Sequence, residues 1–212
     1  AGLLGGLASS TAVTLGFLYL CRQGGEDASA LALGIVLAWT VMFFRVAIMT
    51  ALIHWELGRE IAWAMGLLCV ASLAACYWLW QRNRRRERGE IKPGSNPFEL
   101  DAAIKFGLLF GVILLVSKAA QVYLGDAGLY FAAAVAGLTD VDAITLAMVN
   151  LARGDASSLH VAARAIVIAV MANTLTKCGM AIGLGSAELR RITWPIAVLL
   201  LVTGVAGVLL LI

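Results

Sequence analysis

Two carboxylates, Asp140 and Asp142, stand one residue apart in an apolar stretch, inside the run Gly137-Leu138-Thr139-Asp140-Val141-Asp142-Ala143-Ile144-Thr145. An ionised carboxylate near the centre of a bilayer costs about 2.5–3.5 kcal/mol on insertion scales, so it needs a counter-charge, a water-filled cavity or a proton. On a continuous helix Thr139, Asp142 and Thr145 share a face, whereas Asp140 points almost the opposite way. One regular helix therefore cannot aim both acids at one site. Gly137 and the polar residues after it offer a place for a break, which would expose backbone groups that help to hold an ion. An unbroken helix is the alternative. Gly5 and Gly6, followed by Ser9, Ser10, Thr11 and Thr14, present the same choice with hydroxyls in place of acids.

Two bases occupy similarly apolar settings: Arg45 in Met42-Phe43-Phe44-Arg45-Val46, and Lys177 in Asn173-Thr174-Leu175-Thr176-Lys177. Acids, bases and hydroxyls at comparable depth have two uses. They bind a small ion or solute, or they pair with one another and lock helices together. His54 and His160 have no second ligand at helical spacing and read as interfacial polar residues. No nucleophile and base pair, no metal motif and no cofactor fingerprint accompanies them, so neither an enzyme nor a bound cofactor is expected.

Such groups must be positioned by membrane helices. The chain has 212 residues, 61% of them hydrophobic and 14% charged, with a mean hydropathy of +0.91; a soluble domain is about half apolar and a quarter charged. The alternating ten-residue segments of an outer-membrane barrel are missing, which leaves helices as the spanning element. A helix crosses the roughly 30 Å hydrocarbon layer in about 20 residues. Apolar segments predict seven spans, near residues 1–20, 28–53, 61–81, 100–124, 127–151, 159–184 and 193–212. Cys21, Cys69, Cys76 and Cys178 read as packing residues, and the six tryptophans, Trp39 among them, as an interfacial belt. Gly-rich faces suit close helix packing, including that of a homodimer.

The connection at 82–97 carries Arg82, Arg84, Arg85, Arg86, Arg88 and Lys92 against Glu87 and Glu90. The positive-inside rule makes this loop cytoplasmic, and alternation then puts the C-terminus, Arg22 and Arg153 on the same side. Arg59, Arg190 and Arg191 fall in connections on the far side. The formal net charge of +3 comes mostly from this loop and reports orientation, not a nucleic-acid partner. The expected location is a bacterial cytoplasmic (inner) membrane.

Shifting the chain by 131 residues aligns Gly6–Trp63 with Gly137–Trp194 without a gap, and about a quarter of the positions are identical. Gly6-Leu7, Ala12, Thr14, Leu20, Arg22, Arg59, Ile61 and Trp63 all recur. The chain divides into residues 1–81, a membrane repeat incomplete at its N-terminus, the loop 82–97, and a second membrane repeat at 98–212. Counting spans makes the copies parallel. The sequence opens directly on an apolar segment, so at least one further upstream span is expected.

The paired motifs, together with Phe44-Arg45 and Asn96-Pro97-Phe98-Glu99-Leu100, resemble the C-terminal membrane domain of MgtC/SapB-family proteins, domain of unknown function 4010. The resemblance implies an all-α integral membrane fold, often preceded by an MgtC-like membrane domain, and implies no particular substrate. The expected function is a secondary transporter or channel-like permease, with a midplane site between the repeats. Asp142 would bind a cation or proton, with Asp140 assisting if the helix is broken. Ser9, Ser10, Thr11, Thr14 and Thr145 would supply neutral oxygens, and Asn173 lies in the same region. Arg45 and Lys177 would balance charge, or bind the substrate if it is an anion. The competing expectation is a regulatory or assembly subunit that moves nothing.

Overall fold

Long runs of Leu, Ala, Val and Ile leave the backbone no polar partner except itself, and in lipid the α-helix is the local solution. The computed structural model describes residues 2–23, 27–84, 125, 127–153 and 158–209. Their helices are α1 (Gly2–Gln23), α2 (Ala28–Ile53) and α3 (Trp55–Arg84), then α4 (Ala127–Thr139). After these come α5 (Val141–Ala152), α6 (Ser158–Leu184) and α7 (Ala187–Leu209). The predicted span at 100–124, and the basic loop from residue 85 onward, lie outside the described residues.

Four of these helices, α2, α3, α6 and α7, have the length and apolarity to cross a membrane. Large apolar side chains face outward along them, with Leu52 at 82% and Trp63 at 77% exposure, a surface suited to lipid and not to water. α2 has the bounds read from the sequence. α3 and α7 start earlier than the predicted residues 61 and 193, because the helix continues through charged residues that flank the apolar window: Glu56, Arg59 and Glu60 in α3, and Glu188, Arg190 and Arg191 in α7. The three arginines expected in connections are therefore helical.

The joints between these helices are tight and capped. His54 alone separates α2 from α3: its amide donates to the Thr50 carbonyl at 2.8 Å, and its Nδ1 accepts from the Leu57 amide at 3.2 Å. This occupies one of the amides that a helix start leaves without a partner. A Cβ on Gly58 would collide with the Ala51 backbone, so the α2–α3 turn requires glycine there. Ser186 plays the capping part for α7, its Oγ accepting from the Leu189 amide at 3.2 Å. His160 bonds Glu60 at 2.8 Å.

Contacts divide the chain into two compact units. The first contains residues 1–45, 66–94 and 174–204: α1, the start of α2, the end of α3, the end of α6 and most of α7. Its core includes Leu31, Ile35, Trp39 and Phe43 of α2, all fully buried, with Leu68 and Leu79 of α3. The second contains residues 46–65, 95–173 and 205–212: the end of α2, the start of α3, α4, α5, the start of α6 and the tail of α7. Its core includes Ala143 and Ile144 of α5 and Ile166 and Val167 of α6, also fully buried.

Candidate functional site

In the first unit α1 is interrupted at Ser9, whose φ of −159° and ψ of 109° are extended and not helical. The Ser9 hydroxyl accepts from the Ala12 amide at 3.2 Å and so caps the helix that restarts after it. Within the restarted helix, Ser10 and Thr14 are buried. Thr14 donates its hydroxyl to the Ser10 carbonyl at 2.8 Å and accepts the indole N–H of Trp39 at 3.0 Å. Lys177 approaches the same turn from α6: its Nζ donates to Ser10 Oγ at 2.6 Å and to Met42 Sδ at 2.8 Å. Only 1% of Lys177 is exposed. Three helices thus place an ammonium beside the start of a broken helix, with a hydroxyl and a thioether as acceptors. Arg45 lies further along α2, half-buried, and Thr11 is half-buried in α1.

In the second unit the break falls at Asp140, between α4 and α5, with φ −153° and ψ 141°. Its amide donates to the Ala136 carbonyl at 3.0 Å, and its carboxylate accepts from the Ala143 amide at a long 3.4 Å. A carboxylate suits this position, because a helix N-terminus carries a partial positive charge. The break removes a helical partner from the carbonyl of Gly137, and Asn173 of α6 replaces it, its Nδ2 donating at 2.8 Å. Gly137 also meets the Ala169 backbone so closely that a Cβ would collide with it. Asp142 and Thr145 stand on the restarted helix, Asp142 half-buried and Thr145 fully buried. The Thr145 hydroxyl makes no hydrogen bond among the described residues, a condition that costs about 1–3 kcal/mol for a buried group.

The breaks at Ser9 and Asp140 are 131 residues apart, and so are the amides they cap, those of Ala12 and Ala143. The expected site residues form two clusters. Ser9, Ser10, Thr11, Thr14, Arg45 and Lys177 belong to the first unit; Asp140, Asp142, Thr145 and Asn173 belong to the second. Trp39, expected in an interfacial belt, is instead fully buried and bonded to Thr14, because an indole N–H in mid-span needs an acceptor. Met42 is the other participant that the sequence did not single out. Trp55, Trp63, Trp78, Trp80 and Trp194 are all exposed, in keeping with a belt. Cys69, Cys76 and Cys178 are buried packing residues with free thiols.

Spanning helices, outward apolar side chains and two interrupted helices with polar groups at their breaks define a helical membrane protein. The chain belongs to the family described as Domain of unknown function (DUF4010), whose profile matches residues 1–185. It is 34% identical over 189 residues to an uncharacterized protein of Aquifex aeolicus (strain VF5), a match covering 89% of this chain and 82% of the relative. No solved structure matches it.

Proposed function

We propose that this protein is a secondary transporter or channel-like permease for a small ion or solute, cation- or proton-linked, and not an enzyme. The observation that carries this reading is the pair of helix breaks, one beside buried Lys177 and the other beside Asp142. Unwound backbone inside a spanning region is tolerated where it lines a cavity or is buried in protein, and transporters use it to hold substrates and coupling ions. The matched spacing of the breaks supports descent from two copies of one unit. A bacterial inner-membrane location, with loop 82–97 cytoplasmic, completes the reading and rests on the charge of that loop. Kinship with MgtC/SapB proteins would add a membrane-domain partner.

The test is ion and proton flux in proteoliposomes, with the wild type compared with folded Asp142→Asn and Arg45→Gln variants. Flux in the wild type that is lost in Asp142→Asn is the expected result. The second reading, a regulatory or assembly subunit, draws on Lys177, whose ammonium is held by Ser10 and Met42 of the same protein. It replaces transport if no tested ion moves and a membrane partner is bound equally well with and without Asp142.

A further inference from the structure

We infer that the C-terminal end of α3 carries a site for an anionic phospholipid, with the phosphate on Arg84 beside Trp80 and Tyr77 and an acyl chain along the apolar stripe that leads to them. The inference draws nothing from the transport reading. Val70, Leu73, Tyr77, Trp80 and Arg84 follow one another at intervals of three or four residues, so they share one side of α3. All five are exposed, while Ser72, Ala75, Cys76 and Leu79, on the opposite side, are buried. The stripe therefore faces outward.

Its chemistry changes in the order of a lipid molecule. From Val70 to Trp80 the helix rises about 15 Å, half of the roughly 30 Å hydrocarbon layer and so the depth of one leaflet. Val70 and Leu73 supply alkyl surface, Tyr77 and Trp80 supply rings with a polar edge suited to the headgroup boundary, and Arg84 supplies a cation beyond them. The two rings pack together with centroids 6.0 Å apart, and the Arg84 guanidinium lies over the Trp80 ring at 4.3 Å. Arg82 lies over Trp78 at 5.6 Å. Two residues from Arg84, it points to another side of the helix and is not part of the site.

Stacking on an indole occupies the flat face of a guanidinium and leaves its N–H edge for oxygen acceptors, in the fork that matches a phosphate. It also holds in place a long side chain that would otherwise lose rotamer freedom on binding. A base in the last turn of a helix complements the helix dipole, but the dipole asks only for charge and gives no reason for an exposed indole beneath it. A soluble anion would use Arg84 and not the stripe, whereas a phospholipid uses both. The headgroup is anionic because a zwitterionic one brings its own ammonium to the phosphate, while a net negative one leaves the attraction to Arg84 undiminished.

The test is native mass spectrometry of the full chain in detergent, titrated with phosphatidylglycerol or with phosphatidylcholine of identical acyl chains. Lipid-dependent thermal stabilisation is the second readout. The wild type is expected to retain phosphatidylglycerol about fivefold more strongly, the effect of one base near a charged lipid surface. Arg84→Gln should abolish most of that preference, and Trp80→Leu, which keeps the charge but removes the ring that seats it, should reduce it. Arg82→Gln removes the same charge at similar depth from another side of the helix and should leave most of the preference in place. If Arg84→Gln does not fold, the wild-type comparison and Trp80→Leu carry the decision. Equal retention of the two lipids by the wild type overturns the site and leaves this face to a partner helix or to unselected lipid. The site is also overturned if Arg82→Gln costs as much as Arg84→Gln, or if Trp80→Leu keeps the full preference. No flux enters these measurements, so their failure and that of the transport reading are separate.

Discussion

The two broken helices start from the same sequence motif and finish with opposite chemistry. At Ser9 the cap is a neutral hydroxyl, the threonine one turn on is sealed by Trp39, and a buried ammonium from α6 closes on Ser10. At Asp140 the cap is a carboxylate, the corresponding threonine is open, and α6 contributes a neutral amide, from Asn173, to the Gly137 carbonyl. The backbone device is shared: extended dihedrals at one residue and a side chain that accepts the amide three residues on. The interruption is common to both helices, while the side chains around it differ.

The strongest way to break the comparison is to remove the base from the first cluster. Lys177→Ala deletes a nearly fully buried side chain, and cavity formation of this size costs about 2–5 kcal/mol. Lys177→Met refills the volume without the charge. If the ammonium is mainly structural, Met should recover only the part of the loss that comes from the cavity. If it is a functional charge placed at a stability cost, Met should recover most of the loss while flux falls.

Next comes the amide that supports the second break. Asn173→Leu leaves the Gly137 carbonyl without the donor seen at 2.8 Å, and an unsatisfied buried acceptor costs about 1–3 kcal/mol. The expected loss in thermal unfolding is of that order, with the damage centred on α4 and α5 in hydrogen exchange. The counterpart of Asn173 by the repeat is Met42, which accepts from Lys177 instead of donating. Exchange confined to the second unit would therefore show that the two breaks are held by different means. Trp39→Phe probes the other seal. It keeps an aromatic ring but deletes the indole donor to Thr14, for a smaller loss of about 0.5–1.5 kcal/mol.

Much of this arrangement is legible in the residues. The bounds of α2 follow from its apolar run, and the polar runs at Ser9 and Asp140 leave a break and an unbroken helix as alternatives, of which the structure has the break. The starts of α3 and α7 are not, because hydropathy stops at the charged residues while the helix does not: Glu56 and Glu188 in their first turns favour the helix start electrostatically. The cluster around Ser10 is the least legible part. Its partners, Trp39, Met42 and Lys177, come from two other helices, and sequence spacing within one helix carries no information about which side chain crosses to meet it. Of the three, only Lys177 stands out in the sequence, as a base in an apolar run, whereas Trp39 reads there as part of an interfacial belt. The open hydroxyl of Thr145 emerges only from comparison with Thr14, once the bond to Trp39 is known.

The smallest effect tests whether divergence extends to the restarted helices themselves. Gly16 of α1 corresponds to Ala147 of α5, and a Cβ built on Gly16 meets nothing within 4 Å. Glycine inside a helix is less favourable than alanine by about 0.5–1 kcal/mol, and the open space removes any steric reason to keep it. Gly16→Ala, which copies the residue of the second repeat into the first, should therefore raise stability by up to that amount. If stability rises and flux is unchanged, the first restarted helix is a rigid support that glycine merely weakened. If stability rises while flux falls, the glycine supplies motion at the Ser9 break, and the first cluster, not only the acidic one, takes part in moving the ion.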